Sequence, residues 1–164
     1  MVSLLINVIM AEKLICQNRK ARYDYHVLDT YEAGLVLQGS EVKSCRAGKA
    51  NLKDGYARIK DGEIFLINAH ISPYDYAHQF NHDPLRQRKL LLHKNEIKKL
   101  YGKIKERGLT FIPLKMYFKD GKVKVEMALA KGKNPHDKRE DIKKKDFARE
   151  AEREFRSTKI KGRI

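Results

Sequence analysis

Two stretches of the chain alternate between apolar and polar residues, and both turn on the same dipeptide. "GYARIKDGEIFLINAHI" (55–71) folds back at Asp61-Gly62, and "LTFIPLKMYFKDGKVKVEMALA" (109–130) at Asp120-Gly121. Asp-Gly tolerates the positive φ angles of a two-residue hairpin turn, so both stretches predict antiparallel hairpins. In the second, a period of two pairs Phe118 with Val123, Met116 with Val125 and Leu114 with Met127 on one apolar face. The other face holds Lys119 beside Lys122, Tyr117 beside Lys124 and Lys115 beside Glu126. Such a face suits RNA, with lysines for phosphates and an aromatic for bases. It equally suits water, with a lysine stem lying on the tyrosine. Pro113 has no N–H to give a ladder and marks an edge or a bulge.

"RYDYHVLDT" (22–30) and "EAGLVLQG" (32–39) also read as strands. "SEVKSCRAG" predicts a short helix, capped by Ser40 and ended by Gly48. "HKNEIKKLYGKIKERG" (93–108) predicts a longer one. Its Ile97, Leu100, Tyr101 and Ile104 form a core-facing stripe at i, i+3, i+4, i+7, and Gly108 stops it. Gly102 costs about 1 kcal/mol against Ala inside a helix, which calls for a packing reason or a bend. Many short strands with two helices predict a mainly β fold: an antiparallel OB-like β-barrel flanked by helices. Its boundaries fall at residues 11–130, after an N-terminal extension (1–10) and before a charged tail (131–164).

Charge narrows the function. Lys and Arg number 36 against 21 Asp and Glu, a net +15. On a small domain that is the footprint of a polyanion partner, usually nucleic acid. Two distant cysteines, Cys16 and Cys45, give neither a zinc ribbon nor a disulfide scaffold and suit a reducing cytoplasm. "MVSLLINVI" is too short to span a bilayer and lacks the marks of a signal peptide. His78, His82 and Asp83 lie in a proline-flanked segment without a third and fourth metal ligand. Cys45 reads as core, and "GLVLQGSEVKS" lacks the ending of a phosphate loop. No motif supports an enzyme, and no cofactor is expected. Three basic clusters remain: Arg19, Lys20 and Arg22 with Asn18 and Tyr23; Arg86, Arg88, Lys89 and Lys94; Lys131, Lys133, Lys138 and Arg139. Together they read as a distributed phosphate-contact surface.

Taken in order, "NRKARYDY", "YEAGLVLQGSEVKSCRAGKANLKDGY", "GEIFLINAHISPY", "DPLRQRKLLLHKNEI", "LYGKI", "PLKMYFKDGKVKVEMALAKGK" and "HDKRE" resemble the family of small protein B, the bacterial SsrA-binding proteins. The resemblance covers about residues 11 to 156. It implies a non-enzymatic adaptor, monomeric and one-to-one with transfer-messenger RNA (tmRNA). Such an adaptor binds the tRNA-like domain, stands in for the missing anticodon arm, and delivers alanyl-tmRNA to stalled ribosomes for trans-translation. By resemblance, Asn18, Glu32, Leu91, Lys124, Lys131 and Lys133 belong to the RNA face. The clusters and the hairpin add Lys20, Arg22, Tyr23, Arg86, Lys89 and Tyr117. Glu32 also suits a local cap or ion pair, and Leu91 equally suits core. A general ribosome-associated RNA-binding protein without tmRNA preference is the alternative.

The family's tail becomes helical in the vacant mRNA channel of the small subunit. His136 resembles its residue that stacks on small-subunit rRNA, and Asp137, Lys138 and Arg139 match its DKR motif. Phe147 stands where many relatives carry Trp, keeping a stacking face without the indole N–H. Residues 137–156 hold 8 basic and 7 acidic side chains, a net +1 in a chain of +15. With favourable and opposing i, i+4 pairs in balance and no core to dock on, the tail is expected to be disordered alone and helical on binding.

Overall fold

The computed structural model describes residues 12–161, with side chains to Ser157. The expected N-terminal extension lies outside them. In chain order the elements are β1 (Lys13–Gln17), α1 (Ala21–Asp24), β2 (Tyr25–Leu35), α2 (Gly39–Arg46), β3 (Ala50–Asn51), β4 (Tyr56–Lys60), β5 (Glu63–Ile67), β6 (His70–Ile71), β7 (Arg88–Leu91), α3 (Lys94–Arg107), β8 (Thr110–Lys119), β9 (Lys122–Gly132) and α4 (Pro135–Lys161). The chain divides into two compact units, Met1–Lys131 and Gly132–Ile164.

Seven strands of the first unit form an antiparallel sheet in the order β1-β8-β9-β2-β7-β5-β4, and β3 pairs with β6 apart from it. Both Asp-Gly turns form as the sequence predicts. Asp61 and Gly62 take φ of 53° and 74°, Asp120 and Gly121 of 53° and 72°. One sheet face carries Ile64, Leu66, Leu90, Met116, Val125, Met127 and Leu129 into a single core, which α2 closes with Cys45 and α3 with Ile97 and Leu100. Burial pushes the Cys45 thiol up to about 12, consistent with an inert packed cysteine.

The β8–β9 register keeps Phe118 opposite Val123 and Met116 opposite Val125, then shifts between Pro113 and Lys115. Met127 therefore faces Pro113 rather than the expected Leu114. The bulge at the proline turns Leu114 to the opposite face, where it packs with Ile112, Ala128, Ala130 and Ala21 of α1. That α-turn replaces the first residues of the strand expected from Arg22, and the two predicted strands of the region become the single β2.

The expected barrel is an open sheet: β1 and β4 are its edges. β4 nevertheless curls toward β8. At this seam the ladder cannot close on Pro113, which has no N–H. Asn18 bridges it instead, its Nδ2 donating to Leu52 O at 3.1 Å and to Pro113 O at 3.2 Å. The seam is tight at Gly55, where a Cβ would lie 3.0 Å from Pro113 Cγ and 3.2 Å from Leu52 O.

α2 begins two residues earlier than predicted, capped by a box between Gln38 and Glu41 rather than by Ser40. The Ser40 hydroxyl instead meets His82 Nδ1 at 2.9 Å. Glu41 is fully buried and gathers four donors. Gln38 N, Arg86 Nη2, Arg86 Nε and Arg88 Nε donate to its oxygens at 2.7, 2.6, 3.0 and 2.7 Å. Arg88, also fully buried, donates its remaining N–H groups to Ala69 O at 2.6 Å and Pro84 O at 3.0 Å.

α3 ends at Gly108 in the left-handed conformation, as predicted, with φ 59°. Ile97 and Leu100 are buried, but Tyr101 is 52% exposed and leaves the predicted stripe. A Cβ at Gly102 would touch nothing, so no packing contact explains that glycine.

Burial opposes the charge on Glu41, yet the bonds from Arg86, Gln38 and Arg88 outweigh it and hold the carboxyl below its ordinary range. The clamp's stability is complete above the unfolded value of about 4.3 and is lost as pH falls through the depressed folded value. Glu41→Gln strands the buried Arg88 guanidinium and should cost about 3–5 kcal/mol in urea unfolding at neutral pH. A cost under about 1 kcal/mol, the level of an exposed pair, would show that the clamp does not hold the fold.

Candidate nucleic-acid interface

The outer face of the sheet is built by the same alternation that fills the core. On β9 the outward row runs Lys122, Lys124, Glu126, Ala128, Ala130. Its small apolar half is covered by α1, through Ala21. Its charged half is open and joins Lys115, Tyr117 and Lys119 of β8, with Tyr117 opposite Lys124 and Lys119 opposite Lys122. β2 adds Glu32 and Gly34, and β7 adds Leu91, which pairs with Gly34. A side chain at Gly34 would meet Leu91 Cβ at 3.3 Å. Leu91 is 54% exposed, so of its two readings the core one is excluded. Leu91 and Lys124 line a common hollow of about 350 Å³ floored by Leu35 and Val123.

Glu32 lies at the centre of this face. Its carboxylate accepts from the Tyr117 hydroxyl at 2.5 Å and from Lys119 Nζ at 3.0 Å. The Tyr117 bond, then that of Lys119, hold its carboxyl below the ordinary value, with Lys124 adding to the field. Burial, and then the bond to Glu32, raise the Tyr117 hydroxyl. Tyr117 itself is 4% exposed, and Lys115 Nζ lies 5.0 Å from its ring centroid. Lys115 thus lies over the tyrosine, a contact compatible with both sequence readings of this face. Tyr117 offers no free ring to a base; it positions Glu32.

The remaining residues fall into three groups. Lys20, Arg22 and Tyr23 are exposed on or beside α1, the element that covers the far half of this same face. Lys89 is half-buried and pairs with Glu63, an exposed contact that a phosphate can replace at little cost. Asn18 and Arg86 have internal roles instead. Asn18 is 6% exposed and ties the seam, also accepting from Ala21 N at 3.2 Å, and Arg86 is engaged by Glu41. The sequence reading missed Glu41 and the burial of Arg88. The signal was present: Arg88 is two residues before the inward Leu90, and a buried guanidinium demands a carboxylate. His82, considered above for metal, is buried with both ring nitrogens engaged, by Ser40 Oγ and by Ile71 O.

In the second unit, α4 is one helix of 27 residues. A helix here is what the sequence reading expects of the tail on binding. The helix is well beyond the ~12–15 residues at which isolated helices are marginal, and its start is fixed. Asn134 N donates to Asp137 Oδ2 at 3.2 Å, Lys138 N to Asn134 O at 3.2 Å, and Lys133 pairs with Asp141. Glu152 and Arg156, one turn apart, pair at 2.6 Å, and Asp141 turns back to Lys133. Lys131, His136 and Arg139 are exposed, Lys133, Asp137 and Lys138 half-buried. Phe147 and Phe155 are 75% and 78% exposed, an aromatic stripe with nothing on it among the described residues.

Fold and face together define a class: a curled antiparallel sheet with one face in the core and a lysine-rich face open to a polyanion. The particular family follows from comparison. The SmpB protein family model matches residues 15–157, and the chain belongs to that family. It is 62% identical over 145 residues to the SsrA-binding protein of Desulforudis audaxviator, covering 88% of this chain and 95% of the relative. It is 63% identical over 150 residues to that of Symbiobacterium thermophilum, covering 91% and 92%. A solved chain described under "tmRNA-SmpB: a journey to the center of the bacterial ribosome" is 51% identical and superposes with a TM-score of 0.63 over 73% of this chain and 85% of its own.

Tyr117→Phe removes the larger of the two bonds that depress Glu32. The midpoint of Glu32, followed by carboxyl NMR through a pH titration, should rise toward about 4.3. An unchanged midpoint would mean that the tyrosine does not set the state of this face.

Proposed function

We propose that this chain is a tmRNA-binding adaptor acting in the cytoplasm, which carries alanyl-tmRNA to stalled ribosomes for trans-translation. The curled sheet serves as an OB-like platform for the tRNA-like domain, and α4 engages the small ribosomal subunit. One observation carries this reading. Leu91 and Lys124 stand together on one open face in a chain whose relatives, matched over about nine-tenths of its length, are SsrA-binding proteins.

The chemistry of the platform follows from its residues. Lys119, Lys122, Lys124, Lys20 and Arg22 attract phosphates without reading bases. The exposed Leu91 gives an apolar surface on which an unstacked base or ribose can rest. Glu32 would repel phosphate, but Tyr117 and Lys119 already engage it, Lys119 at both oxygens. Its remaining acceptor capacity suits a 2′-hydroxyl or a base amine, a contact that distinguishes RNA from DNA. The face thus reads shape and ribose more than sequence. On α4, His136 and Phe147 present rings for stacking on rRNA, and Asp137, Lys138 and Arg139 present mixed charge. The net charge near neutrality keeps α4 from binding RNA indiscriminately. The reading requires no enzyme activity and no cofactor.

The two surfaces should fail separately. Lys124→Glu should weaken binding of the tRNA-like domain and lower the slope of log K against log salt by about 1. Substituting Asp137, Lys138 and Arg139 together by Ala should leave that binding intact and abolish peptide tagging on stalled ribosomes. If the tail substitutions weakened RNA binding as much as Lys124→Glu, the division of labour would be wrong.

A further inference from the structure

A cleft of about 850 Å³ opens between α3 and the β4–β5 hairpin, away from the hollow of Leu91 and Lys124. Ile59 and Ile97 form its apolar floor, Tyr101 one wall, and Lys60, Lys94 and Lys98 its rim. Lys94, Lys98, Tyr101 and Lys105 fall at i, i+4, i+7 and i+11 and so share one face of α3. Lys94 and Lys98 are like charges one turn apart, an arrangement that opposes the helix. Neither they nor Lys60 and Lys105 form an ion pair among the described residues, although the chain elsewhere pairs its lysines freely. The fold draws nothing from the tyrosine either. It occupies a position that the helical period assigns to the core, yet half of it is exposed, and Lys105 Nζ stands 5.9 Å from its ring centroid.

A half-exposed ring over an apolar floor, with lysines one helical turn apart, matches a planar ligand attached to successive negative charges. We infer that this cleft is a second RNA-contact surface. It takes an unstacked nucleotide with its base against Tyr101 and the flanking phosphates on Lys94 and Lys98. The inference rests on the RNA-binding role proposed above and extends it to a different part of the molecule. Stacking on an aromatic and lysines tracking the backbone are the two devices by which proteins hold single strands without reading sequence. The acids of the cleft, Asp61 and Glu63, lie on the hairpin side, and Glu63 is paired with Lys89. The strand therefore lies along the helix side, where the unpaired lysines are.

The chain contains no tryptophan, so Tyr101→Trp in the full chain places a unique fluorophore in the cleft. A short single-stranded RNA oligomer should quench its indole emission saturably. Adding Lys94→Gln and Lys98→Gln should weaken that quenching and lower its salt slope by about 1.4, at about 0.7 per phosphate contact on a single strand. Tyr101→Ala, read with a labelled oligomer, should bind about tenfold more weakly. Unchanged emission and unchanged oligomer affinity, in a chain that still binds the tRNA-like domain, would overturn the cleft and leave the proposed function standing. Failure to bind either RNA would overturn both. Equal quenching by polyglutamate would assign the cleft to acidic protein surfaces and overturn the RNA inference.

Discussion

The buried carboxylate of Glu41 holds together parts of the chain that have no other reason to meet. Through Gln38 it starts α2, and through Arg86 and Arg88 it fixes the loop before β7 and β7 itself. Arg88 extends the clamp to the carbonyls of Ala69 and Pro84, and Arg86 reaches Val36 O after β2. Burying the charges of Glu41 and Arg88 carries a large desolvation penalty, which hydrogen bonding must offset. Here both carboxylate oxygens are doubly engaged, and Arg88 has backbone acceptors for the N–H groups the carboxylate does not take. The return is geometric. With Arg88 locked inward, alternation along β7 points Lys89 and Leu91 outward, and α3 starts three residues later with Lys94 and Lys98 on its open side.

The same alternation explains why one thin sheet serves two solvents. Inward positions of β8 and β9 are apolar wherever the register is regular, and outward positions toward the Asp120-Gly121 turn are lysines with Tyr117 and Glu126 among them. At Pro113 the register slips, Leu114 changes face, and α1 covers the apolar patch that results. α1 is thus placed on the lysine-bearing side by a packing need, and brings Lys20, Arg22 and Tyr23 with it. Asn18, which anchors the approach to α1 and ties the seam, can support RNA binding without touching RNA.

How much of this was legible in the sequence depends on how local the cause is. The two Asp-Gly turns, the stop at Gly108 and the facing pairs next to the turns need only neighbours a few residues away, and all form. The partner of Met127 depends on a one-residue slip at Pro113; the sequence marked the proline but not the direction of the slip. The helix cap went to Gln38 because Glu41, also bound to two distant arginines, fixed the box there. Arg86 and Asn18 read as surface because the partners that tie them down, Glu41 for Arg86 and Leu52 O and Pro113 O for Asn18, are 45, 34 and 95 residues away. Leu91 had two readings that only the pairing with Gly34 could separate. Tyr101 obeyed the helical period and still emerged, because the hairpin beside it leaves a cleft rather than a wall. The tail was read over residues 137–156, and the helix carries that segment on from Pro135 to Lys161.

On the function proposed above, the open, lysine-rich sheet face selects one RNA by shape and ribose contacts, with charge supplying affinity but not choice. The direct measurement is competition between the tRNA-like domain of tmRNA and bulk tRNA for this chain across a salt series. Affinity for both should fall steeply as salt rises, while the preference for the tRNA-like domain persists or grows at physiological salt. Equal competition by tRNA at every salt concentration would contradict the claim and leave the chain a general basic RNA binder.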